Sequence, residues 1–404
     1  MSIQSAAAHL AEHLREKEYV EIYGHHDADG IAAASIMVHA LIREDIQVRL
    51  RVLPRIYPHD ISSGNATVLC DFGSGFPDLS DDVMVIDHHI PRFQGEFHVN
   101  PRLEGIDGEH ELSASGAAYL VAQHIGDNRD LTGLALLGMI GDRQFIQGPN
   151  QDIVNEGIAN NIISPGKGIP LFGRDLNEQL FTALNPMLHG ISGEEEKVRS
   201  LIESHTVRNE VNIGRLLSDV VLTVSPHQNA DSMSSLWGDT WHLERGAVKD
   251  AHSLAGIVDG CGKSGKGVLG AALCLRSHEY LNEAWKTACA YRLRVIAAAQ
   301  NAHPLNDNPF LYEIADADAI SGVADALSSD GLLNHPIAVM APQDDFYAVS
   351  ARCPQDAKKD LAAILLNLAT ECGGSGGGHY LRGGARIPRD KVEFFTAGFR
   401  EACV

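Results

Sequence analysis

The sequence has no run of about 18 or more consecutive apolar residues, which is the length that a membrane-spanning helix needs. Its amino terminus also lacks the basic, apolar and small-residue order of a signal peptide. We therefore expect a soluble, intracellular protein located in the cytoplasm. The seven cysteines include no C-x-x-C pair, so neither a zinc knuckle nor a disulfide framework is predicted, and buried thiols are expected.

Basic residues are scarce relative to acidic ones, with 32 Lys and Arg against 53 Asp and Glu and a formal net charge of -21. A surface rich in carboxylates repels a polyanion, which argues against non-specific adhesion to nucleic acid. A locally basic groove is still compatible with this composition. The length of 404 residues and the 44% hydrophobic content favour two or three globular units.

Helical and strand patterns alternate along the first half, as in α/β proteins whose parallel sheet is covered by helices on both faces. The predicted strands are Tyr19–Tyr23, Gln47–Leu53, Ala66–Asp71 and Val83–Asp87. The predicted helices are residues 5–16, Ile31–Arg43, Ser113–Ile125 and Leu131–Ile140. Ligands of open α/β sheets bind at the carboxyl ends of strands, so the residues that follow these strands are candidates for a site.

The chain is expected to divide into residues 1–165, a mostly helical connector at 166–245 and a smaller α/β unit at 246–404, because glycines and prolines cluster at 164–173. In the last unit the patterns predict strands at Val268–Leu275, Pro336–Met340 and Phe346–Ala351, helices around Tyr280–Gln300 and Ala357–Thr370, and a glycine-rich loop at 373–379.

The loop GHHDADG places His25, Asp27 and Asp29 at alternate positions directly after a predicted strand. Carboxylates combined with imidazole suit manganese or another first-row divalent ion better than calcium. The alternatives are an isolated D-x-D-G turn or a fragment of an EF-hand. An EF-hand is disfavoured because its fifth and twelfth positions would be Ile31 and Val38.

Two further strands end in ionisable residues. Asp71 closes the segment VLCDFGSG, where an aspartate alone often caps a turn. Asp87, His88 and His89 follow four apolar residues in VIDHHIP, and three such groups at the mouth of a buried strand are costly to desolvate without a partner ion. The alternative for this triplet is an exposed polar turn.

Asp142 follows the apolar helical pattern that ends at Ile140. A carboxylate at a helix carboxyl end is electrostatically disfavoured, and bound cations would reverse that penalty. Arg143 beside it is a candidate phosphate contact or, equally, a solvated arginine.

Together these motifs resemble the DHH phosphoesterase superfamily in content, order and spacing. The resemblance implies a parallel-sheet DHH domain that binds two divalent ions, with Mn²⁺ preferred and Mg²⁺ possible. It implies that one ion is held by His25, Asp27 and Asp71 and the other by Asp29, Asp71, His88 and Asp142. Asp87 would orient an imidazole and His89 would contact the substrate phosphate, which makes these two the catalytic candidates.

The segment GGSGGGHYLRGGARIP (373–388) resembles the phosphate-gripping motif of the companion DHHA1 domain. The resemblance implies an active site in the cleft between a DHH domain at 1–165 and a smaller DHHA1 domain at 246–404. The substrate-binding candidates are Gly376, Gly377, Gly378, His379, Arg143, Lys263 and Arg382. A flexible linker is the alternative for the glycine run. Lys263 and Arg382 depart from the residues usual in the family.

Within the superfamily the resemblance is to archaeal RecJ-like nucleases, a lineage that includes GINS-associated nucleases and Cdc45. It rests also on VNPRLEG (99–105), SASGAAYLVA (113–122) and DGCGKSGKGVLGAALCL (259–275). The leading hypothesis is an exonuclease that degrades single-stranded DNA or RNA to mononucleotides, with GINS or a repair helicase as possible partners. The alternatives are an oligonucleotide-trimming enzyme or nucleotide phosphatase, and a Cdc45-like helicase scaffold. Complete metal ligands argue against the scaffold.

Overall fold

The computed structural model describes residues 2–61, 64–76, 79–80, 82–305, 308–329, 335–354 and 357–403. The strands are β1 Tyr19–His25, β2 Gln47–Leu53, β3 Ala66–Cys70, β4 Val83–Ile86, β5 His98–Val99, β6 Ile163–Gly168, β7 Thr206–Val207, β8 Glu210–Val211, β9 Gly238–Leu243, β10 His303–Leu305, β11 Asn308–Glu313, β12 Ile337–Gln343, β13 Phe346–Arg352, β14 Ser375–Gly378 and β15 Arg382–Pro388.

The α-helices are α1 Ile3–Arg15, α2 Ala28–Arg43, α3 Ala114–Ile125, α4 Thr132–Gly141, α5 Gly148–Ala159, α6 Leu176–Phe181, α7 Glu195–Ser204, α8 Ile213–Val224, α9 Ala230–Ser234, α10 Ala251–Lys263, α11 Gly267–Cys274, α12 Leu281–Gln300, α13 Ile320–Ala324, α14 Leu361–Glu371 and α15 Val392–Cys403. Among the described residues, no helix combines the length and apolar character needed to cross a bilayer. All seven cysteines are free, and all but Cys289 are buried.

The chain folds as two compact units. The first contains Met1–Gly168 and Asp239–Tyr291, and the second contains Ile169–Gly238 and Arg292–Val404. The first boundary lies close to the expected one after residue 165. Residues 246–291, which the sequence analysis assigned to the carboxyl-terminal unit, instead fold with the first unit, because α10 and α11 pack against α2 and α10 also packs against α4.

The first unit is built on a five-stranded sheet in the order β2-β1-β3-β4-β5, in which all neighbours are parallel. The predicted parallel α/β fold is therefore confirmed. Helix α2 packs on β1, β2 and β3, and nearly all of its residues are buried, as its alanine-rich sequence predicts. Because β1, β3 and β4 are neighbours, the residues after their carboxyl ends lie at one edge of the sheet.

One predicted strand is wrong. Residues 268–274 lie in α11 rather than in a strand, and its buried residues Gly267, Gly270, Ala271, Leu273 and Cys274 follow helical spacing. A short apolar run cannot be assigned to helix or strand from periodicity alone, and this run is rich in alanine and leucine rather than β-branched residues. Close packing reinforces the helix, because a Cβ at Gly267 would lie 2.3 Å from Cγ1 of Val52.

The second unit contains a six-stranded mixed sheet in the order β10-β11-β12-β13-β15-β14. Apolar residues of this sheet pack with Leu365 of α14 and with Phe395 and Phe399 of α15 in one core. The predicted strands at 336–340 and 346–351 are present. The predicted helix at 357–370 begins later, at Leu361, because the side chain of Asp360 accepts a capping hydrogen bond from Ala363 N at 3.0 Å.

Residues 169–238 of the second unit contain α6 to α9 and the short β7–β8 hairpin. They have an apolar core of their own, which includes Leu180, Leu188, Val198, Leu216 and Val220. This segment therefore forms a packed element rather than an extended connector.

Candidate metal centre

All eight residues proposed for the reaction centre lie in the first unit. His25 ends β1, Asp71 follows β3, Asp87 to His89 follow β4, and Asp142 caps the carboxyl end of α4. Asp27 is the N-cap of α2, and Asp29 lies in its first turn. Four separate chain segments thus bring carboxylate and imidazole donors to the same edge of the sheet.

His25, Asp27 and Asp71 form the first donor group. Nδ1 of His25 lies 2.7 Å from Oδ2 of Asp27 and 3.1 Å from Oδ2 of Asp71. Burial opposes the charged imidazolium, but the two carboxylates outweigh it and raise the pKa of His25 well above its usual value. The other oxygen of Asp27, Oδ1, accepts the capping hydrogen bond from Gly30 N at 3.0 Å, which fixes the orientation of its carboxylate.

Asp29, His88 and Asp142 form the second donor group. Nε2 of His88 lies 3.2 Å from Oδ2 of Asp142 and 4.0 Å from Oδ2 of Asp29. It also lies 3.2 Å from Oδ1 of Asp71, whose other oxygen contacts His25. Asp71 therefore faces both donor groups, one with each carboxylate oxygen.

The carboxylates of the second group repel one another. Burial, followed by the negative charge of Asp71, raises the pKa of Asp29 to about 6. Burial and the charge of Asp29 raise the pKa of Asp142 well above its usual value. Concentrating this much negative charge in a buried place is unfavourable unless cations neutralise it.

Two observations fit bound divalent cations. Nδ1 of His88 lies 2.5 Å from the carbonyl oxygen of Gly108, so Nδ1 carries the proton in the neutral ring, and Nε2 is then the nitrogen available to bind a cation among the three carboxylates. Oδ1 of Asp71 is buried and has no hydrogen-bond donor. Nε2 of His88 lies 3.2 Å from this oxygen, so a divalent ion that displaces the Nε2 proton would be coordinated by both atoms.

Asp29 is held by the amino-terminal end of α3. Its Oδ2 accepts from Ala114 N at 2.8 Å and its Oδ1 from Ser115 N at 2.9 Å. Gly138 of α4 makes room for this arrangement, since a Cβ there would lie 2.1 Å from Oδ1 of Asp29. The stretch 113–122 thus supports the site by presenting backbone N–H groups to Asp29.

Asp71 and Arg143 adopt left-handed backbone conformations, with φ of 61° and 56°. This conformation costs a residue with a side chain about 1–2 kcal/mol, and aspartate tolerates it better than most residues. Such strained positions are concentrated at functional sites, where the surrounding structure holds them in place. Arg143 lies beside Asp142, as the sequence requires.

The carboxylate of Asp87 accepts hydrogen bonds from nearby groups of the protein. Its Oδ1 lies 2.7 Å from Nδ1 of His89 and accepts from His88 N at 2.8 Å, while its Oδ2 accepts from Ser74 N at 3.0 Å. Burial opposes ionisation of Asp87, but His89 and these N–H donors prevail and hold its pKa well below the usual value. The side chain is placed to orient the ring of His89, which is 33% exposed.

The stretch 99–105 stabilises the segment that follows β4. Asn100 donates from Nδ2 to the carbonyl oxygen of His89 at 2.9 Å, and Arg102 donates from Nε to that of His88 at 2.8 Å. These contacts fix the backbone that carries both imidazoles.

The stretch 259–275 also contacts the segment 25–29, which carries His25, Asp27 and Asp29 and is called the metal loop below. A Cβ at Gly262, near the end of α10, would lie 1.6 Å from the carbonyl oxygen of His26, so only glycine fits there. Lys263 follows, with Nζ 2.9 Å from Oδ2 of Asp259. Burial opposes its charge, but Asp259, followed by Tyr291 and Asp27, raises the pKa of Lys263 above its usual value. A charged Lys263 thus acts electrostatically on the first donor group.

The remaining substrate-binding candidates lie in the second unit. Gly376, Gly377 and Gly378 belong to β14, which pairs with β15, and His379 N donates to the carbonyl oxygen of Arg382 at 2.7 Å. The glycine run is therefore neither a loop nor a flexible linker but an edge strand and tight hairpin.

Four further cations, Arg51, Lys266, Arg292 and Arg294, form contacts within their own units. Arg292 is 6% exposed and donates to the carbonyl oxygen of Thr182 at 2.8 Å, so it does not line a solvent-facing groove. Arg294 pairs with Asp316 at 2.7 Å and Lys266 with Glu283 at 3.3 Å. Arg51 lies over the ring of Tyr23, and Arg49 is exposed.

Several supporting residues were not predicted. Gln144 donates from Nε2 to the carbonyl oxygen of Gly108 at 3.0 Å, and Oγ of Ser74 accepts from Asn100 at 2.8 Å. The role of a backbone carbonyl such as that of Gly108 cannot be recognised from the sequence. Gly138 could have been recognised, because a glycine inside an apolar helical pattern often indicates a close contact.

Comparisons with known proteins agree with this organisation. The model of the DHH family N-terminal domain matches residues 19–140, and that of the DHHA1 domain matches residues 307–404. The chain belongs to the DHH/DHHA1 superfamily of phosphoesterases. Within it, the chain is related to RecJ and shares a fold with Cdc45.

An uncharacterized protein from Methanocaldococcus jannaschii is 25% identical over 93% of this chain and 91% of its own length. The single-stranded-DNA-specific exonuclease RecJ of Thermus thermophilus is 24% identical over 53% of this chain and 37% of the exonuclease. The chain therefore spans well under half of that curated relative.

Two solved structures share the fold. RecJ of Thermus thermophilus in complex with Mn²⁺ has a TM-score of 0.60 at 16% identity, covering 99% of this chain and 54% of that chain. CDC45 of Entamoeba histolytica has a TM-score of 0.63 at 11% identity, covering 99% of both chains. The same RecJ was also solved with Mg²⁺.

Proposed function

We propose that this protein is a metal-dependent phosphodiesterase that acts as an exonuclease on single-stranded DNA or RNA and releases mononucleotides. One observation carries the proposal: Asp71 faces both donor groups, one with each carboxylate oxygen, and its buried Oδ1 has no hydrogen-bond donor. Such a site suits hydrolysis of a phosphoester better than chemistry that needs a protein nucleophile, because its polar groups are arranged to bind cations.

His25, Asp27 and Asp71 would hold one divalent ion, and Asp29, Asp71, His88 and Asp142 the other, with Mn²⁺ preferred. Ions bound there would lower the pKa of a water molecule and offset the negative charge of a phosphate group. The protein's own part is to keep these donors aligned. Asp29 is fixed by the N–H groups of α3, and His88 by the carbonyl oxygen of Gly108.

His89 would bind a nonbridging oxygen of the substrate phosphate. Burial lowers the pKa of His89, but the adjacent carboxylate of Asp87 more than compensates and raises it. In the charged ring, Nδ1–H donates to Asp87, and Nε2–H would donate to the phosphate. Asp87 thereby sets the position of the proton that the substrate meets.

Nucleic acid is the proposed substrate because the curated relatives from Thermus thermophilus and Bacillus subtilis are named single-stranded-DNA-specific exonucleases. Lys263, Arg143, Arg382 and the hairpin from Gly376 to His379 would contact its phosphates. Trimming of short oligonucleotides is the second possibility for the same site, and hydrolysis of dinucleotides compared with long strands would separate the two.

The test uses DNA and RNA single strands labelled at each end in turn, with Mn²⁺. Asp71→Asn removes the shared ligand, and Asp45→Asn is its matched control, because Asp45 has the same backbone conformation, φ 59°, on the exposed surface. We expect the wild type and Asp45→Asn to release mononucleotides and Asp71→Asn to lose activity. Labelled strands left intact by the wild type would refute the proposal, as would full activity of Asp71→Asn.

A helicase scaffold without catalysis is the competing function, since the fold is shared with Cdc45. Mn²⁺ titration of the wild type and Asp71→Asn distinguishes it independently of activity. A catalytic site should bind Mn²⁺ in the wild type and lose affinity in the variant. A scaffold that does not use the site should show no such binding.

A further inference from the structure

A stacked pair of aromatic rings lies on the exposed surface of the first unit. The rings of Phe145 and His110 have centroids 5.2 Å apart and planes only 13° from parallel. The side chain of Phe145 is nevertheless 57% exposed. His110 covers one face of the phenyl ring, and much of the remaining ring is presented to solvent.

The Phe145–His110 pair is held rigidly. Phe145 N donates to the carbonyl oxygen of His110 at 3.1 Å, and the carbonyl oxygen of Phe145 accepts from Nδ2 of the buried Asn150 at 3.2 Å. Nδ1 of His110 is hydrogen-bonded to Oδ2 of Asp107 at 2.8 Å. Because backbone and ring are already ordered, a ligand that stacks on this pair would lose little side-chain entropy.

Both rings are attached to the metal centre through short segments. Phe145 follows Asp142 by three residues, which limits their Cα separation to roughly 11 Å. His110 follows Gly108 by two residues, and Gly108 accepts the hydrogen bond from His88. Gln144 joins the two segments, since it precedes Phe145 and donates to Gly108.

We propose that the Phe145–His110 pair is a stacking platform for a nucleobase of the substrate, next to the phosphate that is cleaved. A single exposed ring needs no special explanation. Here, however, the backbone of Phe145 is held by two hydrogen bonds, its ring stacks on His110, and its Cα lies within roughly 11 Å of that of Asp142. Two rings are far too small for a protein interface of about 800 Å² per partner. They match the size and flat shape of one base.

The stacking platform rests on the proposed nuclease function, and it would give that nuclease a preference for single strands. A base in a duplex is already stacked and paired, whereas a base in a single strand has free faces to place on an aromatic ring. Stacking is also tolerant of base identity, because every base has a π face. The pair would therefore select single strands over duplexes without reading their sequence.

The experiment compares two single strands of equal length, degraded with Mn²⁺. One carries ordinary bases, and the other carries abasic residues at the terminal nucleotides on either side of the first scissile phosphate. In Phe145→Ala we expect kcat/KM on the ordinary strand to fall roughly 5- to 150-fold, the contribution of one stacked base, mainly through KM. Activity on the abasic strand should stay within about twofold, because that strand offers nothing to stack.

Three further variants test whether loss of the aromatic face of Phe145 causes the fall in kcat/KM. Phe145→Leu keeps an apolar side chain against His110 without the π face and should behave like Phe145→Ala, whereas Phe145→Trp should retain the preference for the ordinary strand. Phe394→Ala is the matched control, since Phe394 is 54% exposed in the second unit and should change neither substrate.

An equal fall on both strands in Phe145→Ala would overturn the platform and assign Phe145 a purely structural role. No fall on either strand would overturn it too. If the wild type cleaves neither strand, the proposed nuclease function itself fails, which is a distinct result.

Discussion

Nδ1 of His88 lies 2.5 Å from the carbonyl oxygen of Gly108, and this contact fixes which ring nitrogen faces the carboxylates. Gln144 donates to the same oxygen at 3.0 Å and is itself held by Asn150, which donates to its Oε1 at 2.8 Å. The position of the Gly108 carbonyl thus depends on a buried amide, whose Nε2 also lies 3.3 Å from Nδ1 of His88.

Gln144→Leu should weaken Mn²⁺ binding without unfolding the protein. The substitution keeps the volume of the side chain but releases the Gly108 carbonyl, so the His88 ring loses part of its orientation. Residues that orient a metal ligand typically contribute about 10- to 100-fold in affinity. We expect a loss in that range when Mn²⁺ binding is measured by calorimetry.

The control for this variant is Gln151→Leu, because Gln151 forms only an exposed hydrogen bond to Asn155 among the contacts described for its side chain. Its Mn²⁺ affinity should equal that of the wild type. Unchanged affinity in Gln144→Leu would show that the orientation of His88 does not depend on Gln144.

The donors themselves could be predicted from sequence, whereas their supports could not. His25, Asp71 and His88 directly follow strong strand patterns, and parallel topology brings adjacent strand ends together. The Gly108 carbonyl and Ser74 act through backbone positions or non-local contacts that no local pattern encodes. The same limit explains the error at 268–275, where the apolar run was long enough for either element and tertiary packing selected the helix.

Gly138→Ala, a substitution in α4, should disturb the position of Asp29 in the metal centre. A Cβ at Gly138 would lie 2.1 Å from both Oδ1 of Asp29 and Oγ of Ser115, so helix α4 or the carboxylate must move. Inserting one methyl group into such a packed place typically costs about 1–3 kcal/mol. We expect a lower urea midpoint for the metal-free protein, together with weaker Mn²⁺ binding.

Gly133→Ala in the same helix is the comparison, since its Cβ would approach only side-chain ends, Cδ2 of Leu243 at 3.3 Å and Cγ2 of Ile162 at 3.9 Å. Alanine also favours the helix by up to about 1 kcal/mol over glycine, so this variant should be close to neutral. Equal behaviour of the two variants would contradict the contact between Gly138 and Asp29.

Asp130 should contribute to stability in a pH-dependent way. Its carboxylate accepts hydrogen bonds from Arg43 at 2.8 Å and from Arg276 at 2.6 Å, and Arg245 lies 3.4 Å away. Burial opposes ionisation of Asp130, but Arg43 and Arg276 lower its pKa below the usual value. Asp130→Asn leaves three guanidinium groups without their shared partner, and we expect a loss of about 1–3 kcal/mol at pH 7.

The sign of the pH effect follows from the lowered pKa. The contribution of Asp130 is complete above the unfolded value of about 3.9 and disappears as the pH falls through the folded value. The gap in urea midpoint between wild type and Asp130→Asn should therefore be constant from pH 7 to 5 and narrow below about pH 4. Asp127→Asn, which removes an exposed pair with Arg129, should produce little change at any pH. A gap that widens on acidification would contradict this assignment.

Gly262→Ala tests whether α10 supports the metal loop. A Cβ at this position would lie 1.6 Å from the carbonyl oxygen of His26, which is a backbone atom between the candidate ligands His25 and Asp27. Neither side can yield by rotating a side chain, so the loop must be displaced. Displacement of catalytic groups by about 1 Å can cost roughly 100-fold in rate, and we expect a loss of that order in kcat/KM with weaker Mn²⁺ binding.

Gly214→Ala is the helical control, because its Cβ would have no neighbour closer than the side chain of Asn212 at 3.8 Å. Metal affinity and kcat/KM should not change in this variant. If Gly262→Ala lowers the thermal midpoint but leaves Mn²⁺ affinity intact, α10 stabilises the unit without positioning the ligands. A joint loss of Mn²⁺ affinity and kcat/KM, with the far-ultraviolet circular dichroism spectrum retained, would show instead that residues 239–291 hold the metal loop in place.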